Sequence, residues 1–288
     1  MQTLAQFSEH LARLIPAVGS DQFTGQLVSM LKQLVHCDDA TVILYPGTDL
    51  PVIEYFELPA GATSSTLDLY VKGAFLLDPF YLAATRDGAC GVFRLRDIAP
   101  GEFHTSEYYK TWYRNCGYRD ECGYLVPLAD EGFVNIALGK LEARASFCAG
   151  ELALLRDIRP TVDVLCQQHW GEAAAGSSGV NLRAQLNTAL NSFGSSLLTE
   201  REAQVIKLVL HGHSTKTLAD KLSISMETVK LHRKHAYSKL EVSSQAELFY
   251  LFLDSVMSAG DYAGGDTLES YLQPASSRQA PGGLPSRR

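Results

Sequence analysis

Residues 198–247 read LTEREAQVIKLVLHGHSTKTLADKLSISMETVKLHRKHAYSKLEVSSQAE, a run of short apolar repeats punctuated by Ser, Thr and Gly. Thr199 with Glu202 three residues later has the spacing of a capping box. His211-Gly212 supplies a stop, because glycine tolerates the left-handed conformation beyond a last turn. This punctuation predicts a helix over 199–211. Ser214 caps a short scaffold helix ending at Leu222, Ser225 caps a third helix, and Ser244 with Glu247 repeats the capping-box spacing before a fourth. On a helical wheel of about 100° per residue, Val229, Ala236 and Leu240 fall in one narrow arc and form the buried side. Glu227, Lys230, Leu231, Lys234 and Ser238 gather opposite. A solvated helix gains little by exposing a leucine between two lysines. In a major groove the leucine packs against a thymine methyl while the lysines reach guanine edges or phosphates, and the mixed face acquires a purpose.

The segment resembles the C-terminal domain of the LuxR (GerE or FixJ-type) transcription regulators. It matches their pattern at Leu198, Thr199, Arg201, Glu202, Val205, Gly212, Ser214, Lys216, Ala219, Leu222, Ile224, Ser225, Thr228, Val229, Lys230, His232, Lys239, Leu240, Val242, Ala246 and Glu247. By that resemblance Lys230, Leu231 and Lys234 face bases, while Ser225, Thr228, Arg233 and Lys239 lie near the DNA backbone. Gln204 and Thr217 stand where the family usually has Glu, which removes two charge pairs within the domain.

The length of 288 residues suits two domains better than one core. A net charge of −7 looks wrong for a DNA binder until its distribution is read. Between 226 and 240 Lys230, Arg233, Lys234 and Lys239 face the single acid Glu227, so the basic footprint is confined to one helix. Such a chain binds non-specific DNA poorly, leaving base contacts and dimerisation to supply affinity. The first residues, MQTLAQFSEHLARL, are amphipathic rather than a secretory signal, and no apolar run reaches the roughly 18 residues of a membrane span. The expected location is cytoplasmic, with no membrane partner. Cys37, Cys90, Cys116, Cys122, Cys148 and Cys166 form no C-x-x-C pair and read as reduced, mostly buried thiols, with Cys116 and Cys122 as an outside redox pair.

Four segments follow from composition: a sensor domain over 1–170, a linker and connecting helix over 171–196, the helix-turn-helix domain over 197–257, and a disordered tail over 258–288. In the first segment TVILY and PVIEYFE read as a strand pair. A helical stretch at 66–84 breaks at Asp78-Pro79, GVFRL is a strand, 106–116 a helix, YLVPL and FVNIALGKL two more strands, and 150–169 a helix. The fold class is α+β: a GAF/PAS-like α/β sandwich sensor domain followed by an all-α, four-helix LuxR-type helix-turn-helix domain. The order GYRDECGYLVPLADEGFVNIALGK, with Leu77-Asp78-Pro79, also resembles the ligand-binding half of LuxR-type receptors. Candidate ligand-lining residues are Tyr70, Trp112, Tyr113 and Tyr124, with Asp78 as the orienting acid. Acyl-homoserine lactone receptors place a tryptophan upstream of the Asp-Pro pair. No Trp precedes Trp112 here, and a different small metabolite is preferred.

Other classes fare worse. Asp38-Asp39 mimics the acidic pair of a phosphorelay receiver, but no later strand presents a phosphorylatable Asp. There is no phosphate loop, G-x-S-x-G elbow or H-E-x-x-H helix, so no enzyme and no cofactor are expected. His211 with His213, and His232 with His235, lack a third metal ligand. The expected partners are double-stranded promoter DNA, a second copy of the chain, a small-molecule effector and RNA polymerase. The rival reading is an interaction protein whose N-terminal domain recruits or sequesters another regulator around a solid core.

Overall fold

The computed structural model describes residues 2–47, 49–57, 70–71, 73–101, 103–111, 113–141, 146–174, 188–258 and 265–272. Two helices, α1 (Gln2–Ala17) and α2 (Phe23–Val35), lead into the strands β1 (Asp39–Tyr45) and β2 (Val52–Phe56). A 3-10 turn at Ala74–Leu77 precedes α3 (Pro79–Arg86), β3 (Gly91–Arg94), α4 (Leu95–Ile98) and α5 (Glu107–Thr111). Strands β4 (Asp120–Pro127) and β5 (Phe133–Lys140) and the long α6 (Ala149–Ala174) complete the N-terminal domain. The helix-turn-helix domain comprises α7 (Glu200–Leu210), α8 (Thr215–Leu222), α9 (Met226–Lys239) and α10 (Gln245–Ser258), and α11 (Thr267–Leu272) follows it.

The five strands form one antiparallel sheet in the order β2-β1-β5-β4-β3. Its central strands are buried on both faces, so alternate residues enter two separate cores. Ala40, Val42, Leu44, Cys122, Tyr124, Val126, Val134, Ile136 and Leu138 pack beneath α1, α2 and α6, with Phe23, Leu27, Leu155 and Trp170. Ile43, Tyr45, Leu125 and Phe133 point the other way, into a layer built by Tyr70, Phe75, Phe80, Tyr81, Phe103, Tyr108 and Tyr113. Each fully buried large side chain contributes about 1.5–3 kcal/mol. The expected sandwich is therefore observed. Of the helix expected over 66–84, residues 70 and 71 are helical, 74–77 form a 3-10 turn and 79–86 form α3, while 66–69 and 72 lie outside the described residues, as do the linker from 175 and the connecting helix up to 187.

The helix-turn-helix domain is docked on the aromatic layer, and one continuous core joins them. A Cβ on Gly73 would lie 3.3 Å from Val256 Cγ1, and one on Gly212 would lie 2.9 Å from Ser106 Cβ. Gly212 also has φ +76°, so the turn between α7 and α8 needs glycine both for conformation and for close approach. Helix α10 buries Leu248 and Phe252 on one side and Phe249, Leu253 and Val256 on the other, which places its surplus apolar face against this same chain.

The tail expected to be disordered from 258 is ordered at 265–272. Leu268 is fully buried, and Asp266 accepts hydrogen bonds from the backbone of Gly194 and Ser196 at 2.8 Å each. Gly- and Ser-rich flanks hid a short segment held by one capping aspartate.

Candidate DNA-binding and ligand-binding sites

In the DNA-binding domain the predicted caps form. Thr199 and Glu202 make a reciprocal capping box at α7, with Glu202 N donating to Thr199 Oγ1 at 3.4 Å and Thr199 N donating to Glu202 Oε2 at 2.8 Å. Ser214 and Ser225 cap α8 and α9 by accepting from Thr217 N and Thr228 N, both at 3.1 Å. At α10 the box is incomplete: Ser244 accepts from Glu247 N, but the Glu247 carboxylate bonds the backbone and hydroxyl of Ser243.

Helix α9 is pinned by Val229, Ala236 and Leu240, and its opposite side is bare. Lys230 and Lys234 are exposed, and Leu231 between them is 51% exposed. Arg233 is half-buried, and with Lys230, Lys234, Tyr237 and Ser238 it lines an open groove running toward Ser244. Ser225 and Thr228 also face each other, hydroxyl to hydroxyl, at 3.0 Å. Lys239 has a second task. Its Nζ donates to Glu202 at 2.6 Å, tying the end of α9 to the start of α7. Burial alone would raise the Glu202 carboxyl. The Lys239 ammonium and the Thr199 hydrogen bonds overcome this and hold it at about 2. Where the family usually has Glu, Thr217 meets the Ser214 hydroxyl and Gln204 bridges Glu200 and Arg201.

In the aromatic layer Asp78 caps α3, its Oδ1 accepting from Phe80 N at 2.7 Å. Its Oδ2 accepts from the hydroxyls of Tyr70 at 2.7 Å and Tyr108 at 3.1 Å. Tyr45 donates in turn to Tyr70 at 2.6 Å. Burial pushes the Asp78 carboxyl up against the pull of these donors, and it pushes both tyrosines well above the ordinary phenol range. Tyr113 belongs to the same layer, its ring 5.2 Å from that of Phe103.

Tyr70, Asp78 and Tyr113 thus come together, whereas Tyr124 does not join them. It points into the opposite core and donates to Leu155 O at 2.8 Å, which corrects its assignment as a lining residue. Every residue of β4 before Pro127 is buried, so the sequence offered no polar alternation to set its phase. Trp112 lies outside the described residues. Sequence reasoning missed Tyr45, Tyr108, Glu121 and Asn135. The available signals were the alternation of Tyr45 with Ile43, and a glutamate and an asparagine inside otherwise apolar strands.

Comparison with known proteins agrees with this geometry. Residues 196–252 match the family model of bacterial regulatory proteins of the luxR family. A protein of Aeromonas salmonicida, named as an HTH-type transcriptional regulator in the exeN 3′ region, is 35% identical over 189 residues, spanning 63% of this chain and 96% of its own length. The chain belongs to the luxR family of transcription regulators. The nitrate/nitrite response regulator NarL of Escherichia coli is 35% identical over 104 residues, 33% of this chain and 46% of its own. Among solved structures, the LBD domain of VqsR from Pseudomonas aeruginosa superposes with a TM-score of 0.50 at 28% identity, covering 59% of this chain and 98% of that one. This luxR-family chain therefore pairs an N-terminal domain similar to a ligand-binding domain with a C-terminal helix-turn-helix.

Among the described residues no group of His, Cys, Asp or Glu could hold a metal ion, and no helix is long and apolar enough to cross a membrane. The cysteines are all free. Cys116 and Cys122 are raised by burial, Cys116 to about 12, and Cys122 faces the opposite core.

Proposed function

We propose that this chain is a ligand-responsive, sequence-specific DNA-binding regulator, acting as a cytoplasmic homodimer, whose N-terminal domain senses a small metabolite. The observation that carries the reading is the bare Lys230–Leu231–Lys234 face on a helix anchored by Val229, Ala236 and Leu240. In it Lys230, Leu231 and Lys234 read base edges, while Ser225, Thr228, Arg233 and Lys239 lie along the phosphates. Tyr70, Asp78 and Tyr113 belong to the ligand-binding layer. That layer is sandwiched between the sheet and the DNA-binding domain, so an occupant that reshapes it changes the purchase of α10 and the α7–α8 turn. Two DNA-binding heads then match or mismatch half-site spacing, with RNA polymerase the next partner at the promoter.

The test is selection of bound fragments from genomic DNA, with and without cell extract, alongside sedimentation to read the oligomeric state. The reading expects a defined motif whose recovery changes with extract. Uniform recovery of all fragments would reject it. Recovery of a motif that extract never alters would favour a non-ligand-binding domain controlled by protein contacts.

A further inference from the structure

The aromatic layer holds a second polar pole that the Asp78 cluster does not use. Glu121 lies on the layer side of β4, two residues from Gly123 and so about 7 Å along the strand. Both residues share that face with Leu125. Glu121 is buried, and among the described residues its Oε2 has no hydrogen-bond partner. Asn135, opposite Leu125 on β5, is buried as well, and its Oδ1 likewise has no partner among the described residues. The Asn135 oxygen hangs over Gly123: a Cβ there would sit 3.1 Å from it and 3.2 Å from Phe80 Cε1. Glycine thus lets the Asn135 amide and the Phe80 ring close directly over the strand beside Glu121.

Two buried oxygens with no donor among the described residues cost stability unless something supplies one. The surroundings specify what kind of donor. The charged groups that act most on Glu121 are Asp78, Asp39 and Asp120, all acids, and burial together with them pushes its carboxyl up to about 8. Its neighbours are aromatic. Tyr113 hydrogen-bonds it, and the Tyr118 ring covers Gly139, the residue paired with Glu121, closely enough that a Cβ there would lie 2.3 Å from Tyr118 Cε1. The rings of Tyr113 and Tyr118 are 6.1 Å apart. A carboxyl kept protonated by burial and by neighbouring acids, beside two aromatic rings, ionises when a cation reaches it, and is a setting for an organic ammonium group.

We propose that Glu121 and Asn135, on either side of Gly123, are the recognition pole for an amine-bearing small molecule whose ammonium group lies between the Glu121 carboxylate and the Tyr113 and Tyr118 rings. The assignment rests on the reading of the N-terminal domain as a sensor. It separates the effector from neutral lactones by charge.

Thermal shift of the full chain against matched pairs tests it, with n-octylamine against n-octanol and tyramine against 4-ethylphenol. The amines should raise the melting temperature at concentrations at least about tenfold lower than the alcohols, the worth of one charge-assisted hydrogen bond. Glu121→Gln should erase that preference while leaving the free protein as stable as before or more so, because a neutral isostere removes an unpaired buried acid. Equal responses to amines and alcohols would overturn the amine assignment and leave the sensor reading standing. Retained amine preference in Glu121→Gln, or a melting temperature lowered by several degrees as a structural role demands, would also overturn it. Were neither set nor a broad metabolite panel to shift the wild type, the sensor reading would fall and this inference with it.

Discussion

Arg86, at the end of α3, and His211, just beyond α7, meet across the boundary between the two domains, with Nη2 and Nε2 2.8 Å apart. Arginine only donates, so Nε2 accepts and the imidazole is neutral. Burial, followed by the charges of Arg86, Lys207, His213 and Lys221, holds His211 well below the usual imidazole value, and burial holds His213 at about 4. The docked form therefore refuses protons that the separated or unfolded chain accepts. Docking stability is intact above about pH 6.5 and declines as pH falls below it. Melting temperature measured from pH 7.5 to 5.5 should drop, and His211→Gln should flatten the slope. An unchanged slope would show that another group sets the acid limit.

Lys230→Ala and Lys234→Ala should each weaken specific binding by about 1–3 kcal/mol and relax preference at defined base positions. Binding-site selection with each variant reads this out. Equal losses on every sequence would demote both lysines to phosphate contacts.

Lys239→Ala removes the partner of a buried carboxylate and should destabilise the protein by about 1–2 kcal/mol in urea unfolding. Glu202 is held at about 2 in the folded protein, so its stabilisation is complete above its ordinary value near 4.5 and is lost as pH falls through about 2. The variant should lose less stability than wild type on acidification.

Thr199→Ala breaks the capping box at α7 and should cost about 1 kcal/mol, while Thr199→Ser should cost little. Helix content and unfolding midpoint of the two variants distinguish a lost cap from lost packing.

The DNA-binding half was legible because its signals are local: a hydroxyl before each helix, a glycine after the first, and a wheel on which Leu231 has no core to enter. The strands were located by their β-branched and aromatic runs. Their phase was hidden, because in a strand buried on both faces apolar residues such as Tyr124, Leu125 and Val126 follow one another without alternation, and a lone buried acid does not reveal which core it enters. That is why Tyr124 was placed on the wrong side and Glu121 passed unremarked. The convergence of Tyr45, Tyr70 and Tyr108 on Asp78 joins residues up to 63 positions apart, beyond any periodicity. The cover over α10 is the chain's own first domain, as the approach of Gly73 to Val256 shows, a contact 183 positions long that no local pattern reveals.

The single core shared by the aromatic layer and α10 has a thermodynamic corollary. Any molecule whose affinity changes when operator is bound obliges the operator to change affinity by the same factor when that molecule is present. On the function proposed above, a promoter fragment is itself an effector of the aromatic layer, and titrating a stabilising small molecule with and without operator would measure the exchange from either end.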